Sequence, residues 1–146
     1  KKEYVFVYFL GDKNDRFKDK IKQLTEKYEI FDVRSAQRKG RELPIGPSEF
    51  LYLIRNAEEV LTDSFHATVF STVFERPFLV FERTAKTKKT EMNSRIHELT
   101  QMLGLEERII KEEKDYTKEV DYKNAKELIK PYIELSRNYL KNSLMQ

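Results

Sequence analysis

Hydrophobic positions divide the chain into short continuous runs and longer periodic stretches. Tyr4 to Leu10 is apolar at successive positions, which suits a central strand covered on both faces. Gly11 ends it, and Asp12 or Asn14 can cap a helix carrying Phe17, Ile21, Leu24 and Tyr28 on one side. Glu29 to Val33 reads as a second strand, and 34–45, with Gly40 and Pro44, as a loop. Gly46-Pro47 opens a helix that points Phe50, Leu51 and Ile54 inward. Val60 to Thr62 is a third strand. From Ser64 the spacing turns helical, with Ala67, Phe70, Val73 and Phe74 on the inner face. Pro77 to Phe81 is a fourth strand, and 82–91, with Lys86, Lys88 and Lys89, reads as an exposed loop. Asn93 caps a helix with Ile96, Leu99 and Leu103 inside, ended by Gly104. A last amphipathic helix turns Ala125, Leu128, Ile129, Tyr132, Tyr139 and Leu140 inward, with Pro131 kinking or restarting it.

Strands alternating with helices predict an α/β fold: one Rossmann-like domain, a parallel sheet with helices on both faces. Ligands of such sheets sit outside the carboxyl ends of the strands. The segment TDSFH, Thr62 to His66, falls there, where the third strand ends and a helix begins. A helix start presents unpaired N–H groups and partial positive charge. Asp63 or Ser64 can cap it, Ser64 and Thr68 offer hydroxyls, His66 an imidazole, and Ala67 is small. Such a set would bind a phosphate or carboxylate with a proton donor beside it. The same residues also describe an ordinary capped helix with a structural histidine, and residue chemistry leaves both readings open.

Composition narrows the classes. Charged residues make up 36% and apolar residues 39%, as in a globular domain with a charged surface. Lys and Arg exceed Asp and Glu by only 28 to 25, spread along the chain, so no nucleic-acid partner is expected. Zero cysteines and two separated histidines, His66 and His97, offer no transition-metal set. His97, on a helix, reads as a surface residue. Gly11 lacks the glycines of a dinucleotide fingerprint, and no phosphate-binding P-loop motif occurs. The apolar runs are too short to span a bilayer. The chain opens KKEYVFVYFL, without Met and directly into a strand, which fits a domain within a longer polypeptide.

Two blocks carry a resemblance. PSEFLYLIRNAEEVLTDSFHATVFSTVFERPF, Pro47 to Phe78, and NSRIHELTQMLGLEERII, Asn93 to Ile110, resemble the C-terminal part of the polysaccharide pyruvyl transferase family. The resemblance implies a two-domain enzyme similar to GT-B glycosyltransferases, with this chain as the C-terminal domain and an N-terminal domain as its partner. It implies transfer of pyruvate from phosphoenolpyruvate onto two sugar hydroxyls as a cyclic ketal. The acceptor would be a bacterial envelope polysaccharide or its lipid-linked saccharide precursor. No cofactor is implied beyond the donor, and the expected location is cytoplasmic, with a peripheral place at the inner membrane face. His66 falls on the family's functional histidine, and Ser64 and Phe65 on positions of the phosphoenolpyruvate pocket. Ala67 and Thr68 complete the substrate-binding set, with Asp63 as a structural cap. Ala67 stands where the family often has glycine, and its methyl group is expected to narrow backbone approach. Two alternatives stay beside this one. The first is the nucleotide-sugar half of a glycosyltransferase, with Glu82 for the ribose; the second is a non-catalytic domain of the same fold.

Overall fold

A computed structural model describes residues 3–38, 45–83, 89–111, 116 and 119–145. Five strands, β1 (Tyr4–Tyr8), β2 (Glu29–Asp32), β3 (Glu59–Thr62), β4 (Phe78–Phe81) and β5 (Ile109–Ile110), form one sheet of order β2-β1-β3-β4-β5. Every pairing is parallel. The helices are α1 (Asp15–Thr25), α2 (Val33–Arg38), α3 (Pro47–Arg55), α4 (Phe65–Val73), α5 (Lys89–Leu103) and α6 (Tyr122–Leu144). The α/β architecture expected from the strand-helix alternation is present.

The sheet is buried on both sides because strand side chains alternate. Phe6, Val60, Phe78 and Val80 enter one core with Ile54, Ala67, Ile96, Leu103 and Ala125 from the helices. Val5, Val7, Leu61, Leu79 and Phe81 enter the other with Phe17 and Leu24 of α1. The two layers are unequal for a topological reason. Right-handed crossovers stepping one way along a sheet lie on one face, and those stepping the other way lie on the opposite face. Only β1 to β2 steps back, so α1 has its face to itself.

Several expectations change at the level of single residues. Asn14, not Asp12, caps α1, its side chain accepting from the Phe17 N–H at 2.9 Å. The expected loop after β2 begins with α2, which six polar-rich residues could not announce by periodicity. Its signal is Asp32, whose carboxylate accepts from the Arg34 N–H at 3.1 Å and the Ser35 hydroxyl at 3.0 Å. Residues 84–88, including Lys86 and Lys88, lie outside the described residues, and Lys89 already belongs to α5. Asn93 is therefore within α5 rather than its cap; its side-chain amide pairs with the backbone N–H and C=O of Arg83 at 3.0 and 3.2 Å. Gly104 does end α5, with φ at +65° and the Leu105 N–H returning to the Thr100 carbonyl at 2.8 Å. Val73 is exposed, because α4 turns that edge to solvent. β5, two residues after a 3-10 turn at Glu106–Arg108, is too short to carry a pattern.

α6 departs furthest. Pro131 lies inside one continuous helix and does not restart it, and of the six residues expected inside only Ala125 is buried and Ile129 half-buried. Leu128, Tyr132, Tyr139 and Leu140 are exposed, although α6 packs on α5. The Tyr122 hydroxyl anchors its start, donating to the Arg76 carbonyl; burial pushes that phenol's pKa up. Local stability should follow this geometry. Amide hydrogen exchange beyond Pro131 is expected to be faster by about an order of magnitude or more than around Ala125. Uniform protection along α6 would contradict it.

Candidate active site at the sheet switch point

In this strand order the chain moves outward from β1 in both directions, so the crevice lies between the carboxyl ends of β1 and β3. Thr62, Asp63 and Ser64 leave β3 there, opposite Leu10 and Gly11 leaving β1. The Thr62 hydroxyl donates to the Tyr8 carbonyl at 2.5 Å and accepts from the Ser64 N–H at 3.0 Å. Asp63 is buried, and its two carboxylate oxygens accept from the Leu10 and Gly11 N–H groups, each at 2.8 Å. Arg34 of α2 takes the matching carbonyls: its guanidinium donates to Gly11 at 3.0 Å and to Leu10. Both backbone groups of two consecutive loop residues are thus held by side chains from β3 and α2. A Cβ at Gly11 would meet the Asp63 carboxylate at 2.9 Å, so the loop approaches this closely only with glycine there.

The cap of α4 is Ser64, whose hydroxyl accepts from the Ala67 N–H at 3.4 Å, and not Asp63 as expected. Asp63 serves the neighbouring strand instead, because its carboxylate finds two N–H groups across the switch point. Asp63→Asn should therefore cost about 1–3 kcal/mol, since an amide cannot accept from both N–H groups. An unchanged urea midpoint would refute this.

Of the expected substrate-binding set, Ser64, Ala67 and Thr68 are buried and Phe65 is half-buried, while His66, the expected catalytic residue, is exposed. The Thr68 hydroxyl donates to the Ser64 carbonyl at 2.9 Å. The Ala67 methyl joins the core, so it does not narrow the crevice. At the helix start Phe65 packs half-buried against the core and His66 is exposed, their rings 5.9 Å apart and nearly perpendicular.

Cations gather around this edge, and sequence reasoning missed them. Lys13 pairs with Asp32 and lies 5.2 Å over the Phe17 ring. The Arg83 Nε, just past β4, is 3.3 Å from Asp63. Arg95 of α5 lies over the Phe65 ring at 4.4 Å. No short sequence signal links them, because α2, β4 and α5 bring them together only through the fold. His97 is half-exposed, with Nε2 at 2.5 Å from a Glu82 oxygen. Glu82, the residue considered for a ribose, is engaged there. Among the described residues no group of three or more His, Asp or Glu side chains could hold a metal ion, and no helix is long and apolar enough to cross a membrane.

Comparison with known proteins places this edge in context. The sequence profile described as polysaccharide pyruvyl transferase matches residues 2–84, more than half of the chain. The match takes in β1 to β4 and the whole switch point, including TDSFH; the later block from Asn93 lies beyond it. Neither the curated proteins nor the solved structures gave a match. The chain belongs to the polysaccharide pyruvyl transferase family.

Proposed function

We propose that the chain carries the donor-side chemistry of pyruvyl transfer from phosphoenolpyruvate to two hydroxyls of an envelope saccharide. The observation that carries the reading is the position of His66: in the first turn of α4, exposed, beside the switch point of a sheet whose sequence matches the family. The reaction needs a proton on the methylene carbon of the enol phosphate, which makes the adjacent carbon electrophilic. One acceptor hydroxyl adds to that carbon, phosphate departs, and the second hydroxyl closes the ketal. One hydroxyl proton ends on the new methyl group and the other on phosphate, so no net proton is released. His66 delivers the first proton or protonates the departing phosphate.

In this reading Phe65 and His66 meet the donor, with the N–H groups at the start of α4 facing its anionic end. Ser64, Ala67 and Thr68 fix that helix start from beneath. The acceptor is a bacterial glycan or lipid-linked saccharide, met in the cytoplasm or at the inner face of the membrane. The test is to incubate the full-length protein with phosphoenolpyruvate and such a glycan. Phosphate should appear in step with the methyl resonance of a pyruvate ketal. Release without a ketal, or turnover with nucleotide sugars instead, would sink the reading.

A further inference from the structure

We propose that Arg95 is a donor-positioning residue that grips an anionic group, carboxylate or phosphate, next to His66. The inference rests on the pyruvyl-transfer reading and deepens it. The other cations placed at this edge already face a protein partner. Lys13 pairs with Asp32, Arg34 donates to the carbonyls of Leu10 and Gly11, and the Arg83 guanidinium stands 3.3 Å from Asp63 with its Nε and Nη2 buried and, among the described residues, making no hydrogen bond. Arg95 differs. Its guanidinium lies over the face of Phe65 at 4.4 Å, and among the described residues it makes no hydrogen bond or ion pair. A guanidinium stacked on a ring keeps its edge N–H groups free while losing much of its rotational freedom. That is the state in which it best forms two parallel bonds to a carboxylate or phosphate.

Its position is set from two sides. Asn93, two residues earlier on α5, is tied to the backbone of Arg83 just past β4. Phe65 is the first residue of α4 and the immediate neighbour of His66. The Phe65 ring therefore links a cation unpaired among the described residues to the exposed imidazole. A small dianion with a carboxylate on one side and a phosphate on the other would span them, one group on Arg95 and the reacting carbon toward His66.

The test is to titrate the full-length protein with phosphoenolpyruvate while following the His66 imidazole resonance, assigned by its loss in His66→Asn. Arg95 is exposed, so its replacement should leave the fold intact. Arg95→Gln is expected to weaken donor binding about tenfold or more, and to raise the donor KM more than it lowers kcat. Arg95→Lys should restore part of the loss. Parallel titrations with inorganic phosphate and with pyruvate identify the gripped group as the one whose affinity falls by the same factor. Unchanged donor affinity in Arg95→Gln, with the His66 resonance still responding, would overturn the role of Arg95 and leave pyruvyl transfer standing. No response of His66 in the unaltered protein would overturn both.

Discussion

His66→Asn in the full-length protein is expected to slow ketal formation about 10²- to 10⁴-fold, the usual worth of a positioned general acid. Asparagine keeps a polar group of similar reach, so hydrogen bonding by the ring is partly preserved while proton transfer near neutral pH is lost. The side chain is exposed and makes none of the bonds that hold the switch point, which run through Thr62, Asp63, Ser64 and Arg34. The variant should therefore melt with the unaltered protein, and kcat should fall much more than donor affinity. A near-normal rate with an intact fold would remove His66 from the proton path, and the reading of the site with it.

Arg108→Met is expected to lower stability by about 3–5 kcal/mol, through a site that touches no substrate. Arg108 is buried at the opposite, amino end of the strands, and its Nε donates to the Phe78 carbonyl at 2.9 Å. Burial lowers the guanidinium's pKa, and the carboxylate of Glu59, itself buried at the start of β3, works against that shift. Removing the arginine leaves a buried carboxylate without this cation and the Phe78 carbonyl without its donor. The loss is a large share of the 5–15 kcal/mol typical of a domain. Urea unfolding at low temperature measures it. Replacing both charges, Glu59→Leu with Arg108→Met, should recover much of the difference, because well-packed apolar side chains of similar volume are often as stable as opposite charges buried together. Equal midpoints for the single variant and the unaltered chain would contradict the account.

These two residues show what the sequence discloses and what it withholds. His66 was legible because it lies inside a continuous segment whose place after a strand follows from hydrophobic spacing. The sheet was legible for the same reason: Val5, Phe6 and Val7 need cover on both faces. Asp63 was placed correctly at the helix start but given the wrong partner, since its N–H donors stand on another strand. Arg34, Arg83, Arg95 and Arg108 were silent, because an arginine shows no period and its partner is chosen by tertiary packing. β5 was silent because two residues carry no alternation. The outer half of α6 carries a helical apolar spacing that predicts a core face. Periodicity reports which residues share a side of a helix, not whether anything covers that side.

Asp63 reaches back 53 residues to Leu10, and that separation sets when the crevice can exist during folding. β1 and β2 are joined by one short helix and can pair early. The contact of Asp63 with the β1 loop must wait until β3 has been synthesised and docked beside β1. Closing that longer loop carries the larger entropic cost, about 0.6 kcal/mol for each doubling of length. In refolding experiments the His66 environment is therefore expected to appear with the slowest phase that builds the sheet, after α1 has already become protected.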